Sequence, residues 1–123
     1  PSKELKWVYT KRLLPYYDIF DEKKYFTPGS ECTFFNYLNK NIALMICEDM
    51  WPSNSHPVDP AQDILKKAKK KLDLVINLSA SPFNLGKDEQ RKERAKEISN
   101  LLGAPFVYVN RVGSIYYQFG IFW

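Results

Sequence analysis

From residue 41 onward the chain alternates in a way that few architectures accommodate: three short apolar runs separated by two stretches of helical periodicity. The runs are NIALMIC (41–47), LDLVINLS (72–79) and PFVYVN (105–110). Runs that are nearly continuous in apolar residues suit strands covered on both faces. Between the first two, DPAQDILKKAKKK (59–71) has Asp59 as N-cap, Pro60 at the first helical position, and Ile64, Leu65, Ala68 and Leu72 at helical spacing. Between the second and third, residues 87–102 read as a helix closed by Gly103. The order β-α-β-α-β predicts an α/β fold with a mostly parallel sheet under helical cover.

On such sheets, reactive groups gather where strands end and loops begin. The three strand ends carry Cys47, then Ser79 and Ser81, then Asn110 and Arg111. Residues 1–40 differ in kind. KWVYTKRLLP is expected to hold a strand ending near Lys11, and the stretch after it is an aromatic loop punctuated by Pro15, Pro28 and Gly29. So many aromatics argue for an ordered, site-forming loop, packed by Phe20, Tyr25, Phe26, Phe34 and Phe35.

The 123 residues suffice for one core. No run approaches the roughly 18 apolar residues of a membrane span, and the first ten residues lack the apolar centre of a signal peptide. A cytoplasmic location with no membrane partner is the expectation. Cys32 and Cys47 are then free thiols, and without CxxC or a Cys/His cluster no metal is expected. The formal charge of +4 rests largely on KKAKKK (66–71) and the mixed run 87–97, which read as solvated helix faces. Interleaved Gly and aromatic residues of the ribonucleoprotein type are missing, so no nucleic-acid partner is expected. His56, in the Pro-rich loop WPSNSHPVDP, reads as a solvent-facing residue, and Cys32 as structural.

Cys47 is followed at once by Glu48 and Asp49, which should suppress its thiolate. A nucleophilic cysteine here needs a cation, and Lys11, at the end of another expected strand, could bring its ammonium beside the sulfur.

KRLLPYYDIFDEKKYFTPG, ICEDMW, NLSASPFNLGK and VYVNRVG follow one another in an order that resembles the nitrilase, or carbon-nitrogen hydrolase, superfamily. Within it, the likeness is to the glutaminase domain of glutamine-dependent NAD synthetases, over roughly residues 6 to 113. The resemblance implies part of a four-layer α-β-β-α sandwich, with residues 1–123 a single partial domain. It implies that Cys47 attacks the side-chain amide of L-glutamine to give a thioester and ammonia, with Lys11 as catalytic lysine and Glu22 as the acid that braces it. Tyr17, Glu48, Ser81 and Lys87 fall where the family binds substrate. The amidase step needs no cofactor; ATP and magnesium would serve a synthetase domain of the same polypeptide, which amidates deamido-NAD. A homo-oligomer is expected of the complete protein.

Two departures accompany the likeness. The family's general-base glutamate lies well upstream of the lysine, beyond the ten residues that precede Lys11 here, and the tail SIYYQFGIFW departs from the acidic pattern of relatives. The chain therefore reads as a piece of something larger, inactive alone. A nitrilase-type amidase acting on another small amide, or a catalytically inactive fragment, is the alternative.

Overall fold

The computed structural model describes residues 7–16, 21–53, 56–81 and 86–111. Their elements are α1 (Glu22–Tyr25), β1 (Phe34–Tyr37), β2 (Lys40–Ile46), a 3₁₀ turn (Cys47–Met50), α2 (Pro60–Lys67), β3 (Leu74–Ser79), α3 (Lys87–Leu102) and β4 (Phe106–Asn110). The sheet order is β1-β2-β3-β4, with β2, β3 and β4 parallel and β1 antiparallel to β2. From residue 41 the expected β-α-β-α-β order is observed.

Local chemistry explains where the helices begin and end. Asp59 accepts hydrogen bonds from the N–H groups of Ala61 (2.9 Å) and Gln62 (3.2 Å), and Pro60 opens α2. α2 stops at Lys67, short of the expected residue 71. The turn that follows is held by the start of β2: Asn41 donates through Nδ2 to the carbonyls of Lys70 and Lys71, and through its backbone N–H to Asp73. α3 ends as Gly103 turns left-handed at φ 61°, with its N–H on the Ser99 carbonyl.

Both crossover helices cover one face of the sheet. Ala43, Met45 and Val75 point into a core completed by Ala61 and Ile64 of α2, Ile98 and Leu102 of α3, and Met50. Truncating a fully buried member such as Ile98 to alanine would cost about 2–5 kcal/mol. The opposite face aligns Leu44, Ile76 and Val107, then Ile46, Leu78 and Val109. Leu78, Val107 and Val109 there are 42–48 % exposed, and no described helix lies over them. The apolar runs reflect a sheet whose two faces are both hydrophobic, of which the described residues cover one.

The first 40 residues depart from expectation. No strand forms near Lys11; the backbone N–H groups of Arg12 and Leu13 go instead to the side chain of Asp49, which occupies the place of a ladder partner. The loop contains α1 and a hairpin strand, β1, joined to β2 through Leu38 and Asn39, both at positive φ (48° and 61°) as a two-residue hairpin turn requires. Tyr25 and Phe26 are exposed, so they do not pack the loop. Phe20 and the tail 114–123 lie outside the described residues.

Arg12 ties this N-terminal segment to α2. Its guanidinium, 2 % exposed, donates to Asp63 at 2.6 Å and reaches the Cys32 sulfur at 3.5 Å. The hydrogen bond from Arg12 holds the Asp63 carboxyl below its ordinary range. A depressed folded-state pKa means stability that is complete above the unfolded value, about 4, and lost as pH falls through the lower folded one. The melting-temperature difference between wild type and Asp63→Asn, measured from pH 7 to pH 2, is therefore expected to be positive at neutral pH and to vanish at the acid end.

Candidate active site

The C-terminal ends of β2, β3 and β4 open into a cleft of about 1150 Å³. Lys11, Glu22, Cys47, Glu48, Ser81 and Lys87 all line it. Tyr17 lies outside the described residues.

Cys47 leaves β2 at φ 46°, a left-handed backbone that non-glycine residues rarely adopt. Its carbonyl accepts a hydrogen bond from Asn77 Nδ2 at 3.4 Å, and the Asn77 amide oxygen accepts one from Ser79 Oγ at 2.7 Å. Asn77 is fully buried in the central strand of a parallel sheet, where polar side chains persist only when partnered. From the helical layer, Arg94 Nε donates to the Met50 carbonyl at 2.7 Å, holding the far end of the 3₁₀ turn.

Asp49 governs how the two halves of the site meet. Its carboxylate, fully buried, accepts from the backbone N–H of Arg12 (2.9 Å) and Leu13 (2.8 Å) on Oδ1, and from Ile46 N–H (2.8 Å) and the Tyr9 hydroxyl (2.7 Å) on Oδ2. One side chain thereby fixes the backbone just after Lys11 against the backbone that flanks Cys47. Burial, then the nearby Asp49 carboxylate, pushes the Tyr9 phenol far above its ordinary range, so it remains a donor.

Lys11 is fixed from two further sides. Its carbonyl accepts the Gly29 N–H at 2.8 Å, and its ammonium donates to Glu22 Oε2 at 2.7 Å. Gly29 is needed for that approach, because a Cβ there would fall 2.4 Å from the Thr10 carbonyl oxygen. Glu22 is presented by the first residue of α1, whose N–H rests on the Pro15 carbonyl at 3.1 Å.

The opposite wall is basic. Lys87 opens α3, and Arg91, one turn later, donates to Ser81 Oγ (2.9 Å) and to Asp88 (3.0 Å). Asn110, at the end of β4, grips Ser81 at both backbone groups, accepting its N–H at 2.9 Å and donating to its carbonyl at 3.2 Å. Ser81 is thus positioned by two elements at once. The cleft is lined by the acids Glu22 and Glu48 and by the cations Lys11, Lys87, Arg91 and Arg111. Among the described residues no cluster of His, Cys, Asp and Glu is arranged to hold a metal ion, and no helix is long and apolar enough to cross a membrane.

Several of these residues escaped the sequence. Asn77 could have been found as an amide inside an apolar strand, but Arg91 is indistinguishable from its neighbours in KDEQRKERAKE. His56, read as solvent-facing, has a side chain only 4 % exposed.

No family model matches the chain. It is 38 % identical over 106 residues to the glutamine-dependent NAD(+) synthetase of Acinetobacter baylyi, covering 86 % of this chain and 18 % of that protein. To the glutamine-dependent NAD(+) synthetase of Synechocystis it is 35 % identical over 116 residues, covering 89 % of this chain and 20 % of the other. The chain thus spans about a fifth of the length of the curated relatives it matches. Its fold superposes on the glutamine-dependent NAD+ synthetase of Acinetobacter baumannii, solved with ADP, with TM-score 0.78 and 32 % identity, covering 94 % of this chain and 20 % of that one. It also superposes on an amidase from Nesterenkonia whose active-site cysteine carries an acrylamide adduct, with TM-score 0.53 over 82 % of this chain and 35 % of that one. At 18 % identity, that second likeness concerns the fold alone.

Removing the Asp49 carboxylate would leave several buried N–H donors unpaired, each costing about 1–3 kcal/mol. Asp49→Ala is expected to lower unfolding free energy by at least about 3 kcal/mol in urea titrations. Asp49→Asn, which keeps one acceptor oxygen, should lose less.

Proposed function

We propose, from a chain homologous over most of its length to a segment of the glutamine-dependent NAD+ synthetases and sharing the fold of nitrilase-type enzymes, that Cys47 is the nucleophile of a glutamine amidase. The observation that carries this reading is the Lys11–Glu22 ion pair, 2.7 Å long, on the wall of the cleft that also holds Cys47.

The Cys47 thiolate attacks the side-chain carboxamide carbon of L-glutamine, and the carbonyl electron pair moves onto oxygen. Lys11 stabilises the oxyanion, and Glu22 holds its ammonium group in place. As the tetrahedral intermediate collapses, the C–N bond breaks and the nitrogen leaves as ammonia, carrying the proton that the thiol gave up. Water then cleaves the thioester to glutamate and regenerates the thiol. The base that takes the thiol proton is a carboxylate which the resemblance puts upstream of Lys11; none of the described residues is given that role.

Substrate recognition divides by charge. Glu48 faces the α-ammonium group, Lys87 the α-carboxylate, and Ser81, held rigid by Asn110 and Arg91, offers a neutral hydroxyl between them. The ammonia serves ATP- and magnesium-dependent amidation of deamido-NAD by a synthetase domain of the same polypeptide. The amidase step itself uses neither cofactor.

The test is covalent labelling by a glutamine-mimicking chloroketone, 2-amino-5-chloro-4-oxopentanoic acid, read by peptide mass spectrometry. Cys47 sulfur should displace chloride faster than Cys32 does, free L-glutamine should protect it, and Lys11→Ala should slow it about 10-fold or more, as loss of one electrostatic partner does. Equal labelling of both cysteines, or protection by simple amides as good as by glutamine, would rule the proposal out.

A further inference from the structure

We propose that His56 is a positioning residue for Glu48, and that by holding this carboxylate it sets the preference of the cleft for substrates bearing an α-ammonium group. This rests on the glutamine-amidase reading above.

The segment after Trp51 carries its only titratable side chain, His56, on a turn closed by the His56 N–H on the Ser53 carbonyl at 2.9 Å. Trp51, Pro52 and Ser53 line the cleft, whereas His56 is not among its lining residues and meets one of them, Glu48. The imidazole points inward. Its Nε2 lies 3.6 Å from Glu48 Oε1, with the two side chains 4 % and 8 % exposed. On another side the ring meets the edge of Tyr16, centroids 6.4 Å apart at 73°. Tyr16 in turn carries Lys23 of α1 over its face, 4.2 Å from the ring centre.

Glu48 sits in the 3₁₀ turn immediately after the nucleophile, so its backbone position follows that of Cys47. Its side chain retains rotatable bonds, and a carboxylate that must meet an incoming ammonium gains from having them restrained. His56 contributes to that restraint from 3.6 Å away. At 3.6 Å the contact is longer than a hydrogen bond. The ring therefore limits where Oε1 points through packing and polarity without itself taking a hydrogen-bonding site on it. Tyr16 is the ring's aromatic neighbour, in an edge contact at 6.4 Å between centroids.

Two reagents identical except at the α-position read this out: the chloroketone above and its amine-free counterpart, 5-chloro-4-oxopentanoic acid. In each, sulfur forms a bond to the chloromethyl carbon and chloride leaves. The ratio of the two Cys47 labelling rates measures recognition of the α-ammonium group. Wild type is expected to favour the amine about 10-fold, the discrimination of one charge-assisted contact. His56→Leu should bring the ratio below about 3, and His56→Gln, which keeps a polar N–H of similar reach, should restore part of it; the glutamine variant is also the measurement to rely on if His56→Leu fails to fold. In a Glu48→Gln background, adding His56→Leu should change the ratio no further.

A wild-type ratio in His56→Leu, or in His56→Gln when His56→Leu does not fold, overturns the inference. So does a further fall in the double variant, since His56 would then act by a route other than Glu48. A wild-type ratio near one overturns it while leaving Cys47 as nucleophile intact, whereas failure of selective Cys47 labelling removes the amidase reading itself.

Discussion

A single buried carboxylate holds this structure in register. Asp49 takes hydrogen bonds from Arg12, Leu13, Ile46 and Tyr9, bringing together segments 37 residues apart at a point with no access to water. An isolated charge there would be prohibitively costly, and full satisfaction is what makes it tolerable. Because the donors are mostly backbone groups, the bonds specify main-chain position rather than merely joining side chains. Lys11 and Cys47 are thereby held to one cleft even though no sheet ladder connects their segments. The segment around Lys11 does not form a strand because its amides are already engaged.

The rest of the site follows a similar logic of partnered polar groups in an apolar layer. Ser79 and Arg91 line the cleft, while Asn77 and Asn110 are not among its lining residues and bond to Cys47 and Ser81, which are. The central strands of a parallel sheet are a poor place for unpaired amides. Their presence marks the sheet ends as built to hold Cys47 and Ser81 in place. The left-handed backbone of Cys47 belongs to the same arrangement: strain at one residue, held by hydrogen bonds on the residues around it.

Much of this was legible beforehand, unevenly. The parallel units were clear because cap, helix and apolar run each obey local rules: Asp59 with Pro60, Gly103 after Leu102, and β-branched residues between them. Cys47, Lys11, Glu22, Glu48, Ser81 and Lys87 were singled out by short words in a particular order, and all six line one cleft. The early segment differs from expectation because KWVYTKRLLP has the composition of a strand, while its conformation is decided by a carboxylate far along the chain. The hairpin at Leu38 and Asn39 was missed since only Asn39 advertises a left-handed turn. His56 is buried for a related reason: a proline-rich loop has the composition of a solvated one, and only the fold brings Glu48 against its histidine.

By itself, then, the amino-acid sequence determined the order of strands and crossover helices, the ends of α3, and the presence of a cysteine at the end of β2. These depend on interactions within a few residues: capping, periodicity and the conformational needs of glycine and proline. Only the tertiary structure decided which acid does what. Apart from Glu22, which the resemblance already paired with Lys11, Asp49 binds backbone, Asp63 meets Arg12 and Glu48 meets His56, and nothing local distinguishes one of these carboxylates from another. A carboxylate's role is set by the donors that folding brings to it, and those donors come from distant parts of the chain.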